Sequence, residues 1–368
     1  MPVLASLTEL VTDTVGDRAG GWDTAGAIPL AVLRVLGANG VLCAEVAPGF
    51  GGVGLSGTDN GTLTAHTGAL CSSLRSVMTS QGMAAWAIQR FGDRTQRAEY
   101  IGRLTGGELA AVAFSEPGAG SDLAAMTTEI RREGDEIVVD GVKTWITVAA
   151  YADWIVVFGR YAGGGGVVVV PASAPGVRVR PVENPLGCRA AGHASVTLDN
   201  VRLPAANLLA AAGQPVVMLT TIALTYGRLS VAWGCVGILR ACLAAAAEHA
   251  GRREQFGKPL ARHQLVARHL AEIYTAERTA TFACEHASRA WDAGSPDQVQ
   301  AAVLAKHVAA GNAARGAASA LQVLASAGAV GGHVVERAYR DAKLMEVIEG
   351  SNEICQLILA EHAAALAG

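Results

Sequence analysis

The chain has 368 residues with a formal net charge of −3, and 51% of the residues are hydrophobic, which is enough for a large core. The near-neutral charge and the lack of a long basic run argue against a nucleic-acid-binding protein. The first 15 residues contain no lysine or arginine, which argues against a secretory signal.

Three regions follow one another along the chain. Residues 1–109 have mostly helical patterns, residues 110–215 contain short β-rich runs, and residues 216–368 form long alanine- and leucine-rich helical patterns. Short β-rich runs about every 8–12 residues favour an antiparallel sandwich or barrel over a parallel sheet. The last region can stack as a helix bundle. The predicted fold class is therefore α+β, with an N-terminal helical domain, a central β-domain and a C-terminal helical bundle.

The longest apolar stretch, Leu229 to Ala247, approaches the length of a membrane span. Arg240 lies inside it and Arg228 directly precedes it, and such charges are costly in a bilayer. We therefore expect a buried helix of the bundle and no membrane partner.

Seven cysteines are scattered along the chain without a C-x-x-C pair. An odd number with this spacing is not typical of a disulfide framework or a zinc site. The sequence therefore predicts small buried thiols, no metal and a cytoplasmic location.

The first candidate for chemistry is the segment FSEPGAGSD, Phe114 to Asp122. Glycines such as Gly120 let backbone N–H groups approach an anion, and Ser115 and Ser121 add hydroxyls. For a glycine- and serine-rich loop alone, an ordinary connection between domains is the commoner interpretation.

The second candidate is GVKTWITVAAYADW, Gly141 to Trp154. Trp145 and Thr147 lie two residues apart, so on a regular strand they share a face. An indole beside a hydroxyl donor is suited to a flat heteroaromatic ring, although a lone tryptophan is more often a core residue.

The third candidate is GRREQFGKPLARHQ, Gly251 to Gln264, in which Arg253 and Phe256 precede a Gly-Lys-Pro turn. Arginine has a planar fork of donors that suits phosphate. A solvated basic helix end explains the charge equally well.

The fourth candidate, VIEGSNEI, contains Glu349 and Glu353. On one helix these acids would repel by about 0.2–0.5 kcal/mol. Gly350 interrupts the helical pattern, however, and Ser351 and Asn352 are residue types that cap a helix start. We therefore expect Glu349 on a loop and Glu353 in the first turn of a new helix, where an acid is favoured.

In this order, the four segments resemble motifs of the acyl-CoA dehydrogenase superfamily of flavoproteins. FSEPGAGSD resembles T-E-P-x-A-G-S-D, KTWIT resembles K-x-W-I-T-N, RREQFGKPL resembles R-x-x-F-G-K, and RDAK…VIEGSNEI resembles R-D-A-K…I-Y-E-G-T-N-E-I. The similarity extends over nearly the whole chain. It implies FAD as cofactor and a four-helix bundle in the C-terminal domain.

The resemblance also implies a role for individual residues. Glu349 matches the catalytic base, which removes the α-proton of a thioester while hydride passes from the β-carbon to flavin N5. The diphosphate contacts come from a neighbouring subunit, so a homodimer or homotetramer is implied. The residues that the resemblance and its motifs place at the cofactor are Ser115, Gly120, Ser121, Trp145, Thr147, Arg253, Phe256, Gln264, Gln322, Ser351 and Glu353.

Four positions depart from the motifs of the family. Ile348 stands where a tyrosine is usual and Val148 where an asparagine is usual, and Ala325 and Ser326 follow Gln322 in place of a Gly-Gly pair. These departures predict a retained cofactor and an altered substrate pocket.

The chain most resembles members that act on an acyl carrier protein in assembly of the methoxymalonyl extender unit of polyketides. The expected substrate is a three-carbon hydroxylated acyl group, oxidised toward hydroxymalonyl, with an electron acceptor of unknown identity. An ordinary short-chain acyl-CoA dehydrogenase is the main alternative. A scaffold or nucleic-acid-binding relative, and an oxidase that passes electrons to oxygen, are further alternatives.

Overall fold

The computed structural model describes residues 2–366. The first region is helical, and its helices begin at recognisable caps. Ser56 accepts a hydrogen bond from the backbone N–H of Asp59 at the start of α4, and Asp93 and Gln96 form a capping box at the start of α6. The helices that precede the first strand are α1 (Pro2–Val15), α2 (Ala19–Ala25), α3 (Leu30–Ala38), α4 (Gly57–Leu70), α5 (Ser72–Phe91) and α6 (Arg94–Thr105).

The second region forms one connected sheet of seven strands, in the order β1-β4-β2-β3-β7-β6 with β5 paired to β4. Most neighbours are antiparallel, as the sequence predicts. Two pairings depart from this antiparallel pattern, because β1 and β2 each pair with β4 in parallel. The strands are β1 (Ala110–Ala113), β2 (Glu129–Glu133), β3 (Glu136–Ile146), β4 (Trp154–Tyr161), β5 (Gly164–Pro171), β6 (Val177–Pro181) and β7 (Ala194–Pro204).

The third region is helical again, which confirms the predicted order of helices, strands and helices. It contains three long and two short helices in the described residues, and the fifth, α11, packs against α9. A small hairpin of β8 and β9 separates the first two. The elements are α7 (Val216–Arg252), β8 (Glu254–Gln255), β9 (Lys258–Pro259), α8 (Gln264–Asp292), α9 (Gln298–Leu324), α10 (Val334–Met345) and α11 (Asn352–Ala365).

Helix α7 runs through the core and packs against α4, α5, α8 and α9. It is long and apolar enough to cross a membrane, but 72% of its most apolar window is buried inside the protein, as expected of a core helix. Gly237 permits the close approach of α4, because a Cβ atom there would lie 2.1 Å from the Ala65 carbonyl oxygen. All seven cysteines are buried and free, which confirms that prediction.

Candidate functional site

The loop between α10 and α11 carries Glu349. Helix α10 ends at Met345, and the Ser351 side chain caps α11 by accepting a hydrogen bond from the Ile354 N–H at 3.4 Å. The two acids of the fourth segment therefore lie on different elements, as predicted, with Glu349 on the loop and Glu353 exposed in the first turn. Glu349 has a φ of 54°, in the left-handed region that few non-glycine residues adopt.

The Glu349 carboxylate is buried at its tip. Oε2 has no hydrogen-bond partner among the described residues, although part of the residue remains exposed. Burial raises the pKa of Glu349 to about 7, and the positive charges of Arg228, Lys306 and Arg75 act in the opposite direction. A carboxylate with such a pKa can accept and release a proton near neutral pH.

Two buried cations hold the loop by its backbone. Arg228 Nε donates to the Glu349 carbonyl oxygen at 3.1 Å, and Lys306 Nζ donates to the Gly350 carbonyl oxygen at 2.7 Å. Burial lowers the pKa of both side chains. Because the cations bind main-chain oxygens, they fix the loop without occupying the Glu349 carboxylate.

Helix α7 leaves room for that carboxylate at Gly227. A Cβ atom at Gly227 would lie 2.5 Å from Glu349 Oε2 and 3.0 Å from Met83 Cε. The carboxylate therefore lies against the crossing of α5 and α7, at a point where α7 has no side chain.

With Glu349 as the base that the family resemblance implies, we expect Gly227→Ala to lower the rate of substrate oxidation about 100-fold, since the added methyl group displaces the carboxylate and small misplacements of reacting groups are costly. Single-turnover reduction of the bound flavin measures this rate. Gly251→Ala is the matched control on the same helix, because a Cβ atom there meets nothing within 4 Å. An equal loss in both variants would contradict the steric explanation.

The segment around Trp145 departs from a regular strand. A register shift separates Lys143 from Ile146, and Trp145 has a φ of 56°. The prediction that Trp145 and Thr147 share a strand face is therefore wrong, because the bulge breaks the alternation. His193 brings them together instead: its ring centroid lies 6.1 Å from that of Trp145, and its Nδ1 lies 3.2 Å from Thr147 Oγ1.

Trp145 and Thr147, which the resemblance places at the flavin, form a surface with an exposed aromatic ring and a hydroxyl group. The Trp145 side chain is 55% exposed although it is a large aromatic residue, so it offers an open apolar face. Thr147 lies at its edge with a hydroxyl group that can donate a hydrogen bond. Ser80 of α5 donates to the Thr147 carbonyl oxygen at 3.3 Å, which ties this edge to the α5–α7 crossing.

A buried ion pair fixes the loop of residues 114–122 against β3. Lys143 Nζ lies 2.9 Å from Glu116 Oε1, and neither side chain is more than 3% exposed. The Thr144 N–H donates to the Ser115 carbonyl oxygen at 2.9 Å. Ser115 is thereby held beside β3, while Gly120 and Ser121 are exposed on the loop.

The residues expected at the FAD diphosphate lie far from Glu349 in the same chain. At about 1.5 Å per helical residue, the end of α7 beside Arg253 is about 38 Å from Gly227. Phe256, at the tip of the β8–β9 hairpin, is 95% exposed, and Gln264 at the start of α8 is also exposed. Gln322, which is expected near the cofactor but not at the diphosphate, is exposed near the end of α9. The single chain does not combine these residues with Glu349.

The sequence patterns missed Arg75, Lys306 and His193 as residues of the site. For Arg75 in α5 and Lys306 in α9, the sequence did contain a signal, namely a charged residue inside an apolar helical run. Both side chains are fully buried. His193 gave no such signal, because a single histidine after a glycine is compatible with any turn.

Comparisons with known proteins agree with the order of the three regions. Three acyl-CoA dehydrogenase domain families match the chain: the N-terminal domain over residues 3–108, the middle domain over 111–201 and the C-terminal domain over 213–364. The mitochondrial short-chain specific acyl-CoA dehydrogenase of Mus musculus is 32% identical over 343 residues, which are 91% of this chain and 82% of that protein.

Two solved structures are similar over almost the entire chain. FkbI, described as a protein for biosynthesis of the methoxymalonyl extender unit of the Fk520 polyketide immunosuppressant, is 62% identical with a TM-score of 0.94, covering 97% of this chain and 99% of FkbI. A glutaryl-CoA dehydrogenase from Mycobacterium smegmatis in complex with FADH2 is 26% identical with a TM-score of 0.93, covering 99% of this chain and 94% of that one.

Proposed function

The chain belongs to the acyl-CoA dehydrogenase family, and from this premise we propose that it oxidises a short hydroxylated acyl thioester carried on an acyl carrier protein. It is an FAD-dependent oxidoreductase, as the members of this family are. The proposed reaction is a two-electron oxidation of that group towards hydroxymalonyl on the carrier protein, for a methoxymalonyl extender unit of a polyketide.

The observation that carries this proposal is the similarity to FkbI, at 62% identity over nearly the whole of both chains. The similarity to the mouse short-chain enzyme is much weaker, at 32% identity. An ordinary short-chain acyl-CoA dehydrogenase that forms an α,β-double bond is therefore the second candidate, supported by that relative.

In the proposed reaction Glu349 is the base. Its buried and unpaired Oε2 takes a proton from the acyl group, and the backbone contacts of Arg228 and Lys306 keep the carboxylate in place. Trp145 and Thr147 hold the flat ring of the cofactor. Bound FAD supplies the acceptor for the hydride that leaves the acyl group.

We further propose a homo-oligomer, a homodimer or homotetramer, in which Arg253, Phe256 and Gln264 contact the FAD diphosphate of a neighbouring subunit. The support is the exposure of the β8–β9 hairpin and its distance of about 38 Å along α7 from Gly227. A cytoplasmic location fits seven free, buried thiols.

The test is an anaerobic titration of the FAD-loaded protein, followed by the visible absorbance of the flavin. A hydroxylated three-carbon acyl group on a carrier protein should bleach the flavin, whereas butyryl-CoA should not. Bleaching by butyryl-CoA alone would instead identify an ordinary acyl-CoA dehydrogenase. Bleaching by neither would contradict both candidates for the substrate.

A further inference from the structure

A pair of hydroxyl groups closes the crossing of α5 and α7 near the Glu349 carboxylate. Thr79 Oγ1 of α5 lies 2.7 Å from Ser230 Oγ of α7, which is the distance of a hydrogen bond. Both residues are buried, with exposed fractions of 4% and 7%. At this distance no atom fits between the two side chains, so the hydroxyl pair is a closed contact between the helices.

The hydroxyl pair lies about one helical turn from the carboxylate. On α7, Gly227 meets Glu349 Oε2, and Ser230 follows three residues later on the same face. On α5, Met83 meets the same point of Gly227, and Thr79 precedes Met83 by four residues. The axial rise from Gly227 to Ser230 is about 4.5 Å. The space beside the carboxylate therefore ends after about one turn in this direction.

The crossing stays filled behind the hydroxyl pair. Arg75 of α5 is fully buried and donates through Nη1 to Thr79 Oγ1 at 3.2 Å. On α7, a Cβ atom at Gly234 would lie 2.6 Å from Arg75 Cδ. The Arg75 side chain thus occupies the next turn of both helices and holds the Thr79 hydroxyl in place.

The two ends of α7 differ in their access to solvent. Val217 and Met218, near the start of the helix, are 61% and 41% exposed, whereas every residue from Thr225 to Leu239 is buried. We expect a thioester on a pantetheine arm to reach Glu349 from the exposed end. Its acyl group then points along α7 towards Ser230.

We propose that the hydrogen-bonded pair of Thr79 and Ser230 is the end wall of the acyl-binding site and limits the enzyme to short acyl groups. This inference rests on the proposed function, which places the carbon that loses its proton at the Glu349 carboxylate. A longer chain has to break a buried hydrogen bond and separate two close-packed helices, and both changes are costly.

Unreactive thioethers test the chain length by binding alone. S-propylpantetheine and S-pentylpantetheine differ by two methylene groups, and their pantetheine part is common to coenzyme A and carrier proteins. Calorimetric titration of the FAD-loaded protein gives a dissociation constant for each. In an open apolar site, two more buried methylene groups raise the affinity about 10-fold. We expect the wild-type protein to bind the pentyl ligand no more tightly than the propyl ligand.

Ser230→Gly removes the α7 half of the wall and keeps the Thr79 hydroxyl that accepts the Arg75 hydrogen bond. This variant should bind the pentyl ligand about 10-fold more tightly than the propyl ligand. Ala232→Gly is the matched control, because Ala232 is a buried residue on another face of α7, where glycine also weakens the helix. The control should show the wild-type ratio of the two dissociation constants.

FAD content and the thermal midpoint of unfolding show whether the variants are folded. Ser230→Ala removes the hydroxyl group without placing a glycine in the helix, so it gives a second test if Ser230→Gly does not fold. It should change the ratio in the same direction by a smaller factor.

A wild-type protein that binds the pentyl ligand about 10-fold more tightly would overturn the proposal, as would a folded Ser230→Gly variant with the wild-type ratio. An equal change of the ratio in Ala232→Gly would also overturn it. Failure of the proposed function has a different appearance. In that case hydroxylated thioesters leave the flavin oxidised, whereas the thioethers, which transfer no electrons, still measure the chain-length limit. No binding of either thioether would contradict the thioester site itself, and the wall with it.

Discussion

Glu349→Gln should lower the rate of flavin reduction by the thioester substrate about 10²-fold to 10⁴-fold, because it removes the group that we propose as the general base. The amide has nearly the same shape as the carboxylate, and the main-chain oxygen that receives the Arg228 hydrogen bond is unchanged. We therefore expect normal FAD content. Single-turnover mixing under anaerobic conditions measures the rate separately from cofactor binding.

Glu361→Gln is the matched control, since Glu361 is an exposed acid on α11, the helix that follows the loop of Glu349. The pH dependence gives a second readout. A base must be deprotonated, and the pKa of Glu349 is raised to about 7, so the wild-type rate should rise with pH through about 7. Glu349→Gln should lose this rise. A full rate in Glu349→Gln would remove Glu349 from the role of base.

Lys143→Met should destabilise the protein by about 3–5 kcal/mol, because it leaves Glu116 as a buried carboxylate without its cation. The pair is almost fully buried and lies 2.9 Å apart, and Lys143 also donates to the Phe114 carbonyl oxygen at 3.0 Å. The loop that carries Ser115 depends on the same contacts. Urea unfolding of the FAD-loaded protein measures the loss.

The control is Arg178→Met, which breaks an ion pair with Asp199 in which both side chains are more than 60% exposed. Its effect should be about 1 kcal/mol or less. The double variant Glu116→Gln/Lys143→Met should recover part of the stability lost in Lys143→Met, since no uncompensated charge remains buried. A loss no larger in Lys143→Met than in Arg178→Met would contradict this view of the pair.

The pH dependence of this pair has a definite sign. Burial alone raises the pKa of Glu116, but hydrogen bonds from Thr128, Lys143 and Thr127 outweigh it and hold the pKa at about 2, below the ordinary 4.5. The stabilisation that the Glu116 carboxylate provides is therefore complete above pH 4.5 and is lost as the pH falls towards 2.

The sequence alone was sufficient for the local structure near the catalytic loop. Ser351 is a good N-cap residue, and Gly350 before it interrupts the helix, so the placement of Glu349 on a loop followed from residue types. The same reasoning failed at Trp145. Whether a strand contains a bulge depends on its pairing with a neighbour, here β7, and that information is not local.

The sequence by itself determined the order of helical and β regions, the buried helix α7, the start of α11 and, through its motifs, the FAD-dependent family. These properties depend on hydrophobic periodicity, on helix-capping residues and on short sequence motifs, all of which can be read from neighbouring residues in the chain. Only the tertiary structure placed the Glu349 carboxylate against Gly227 of α7 and brought the buried cations Arg228 and Lys306 to the backbone of its loop. These contacts arise from packing between distant segments, which is why no local pattern could predict them.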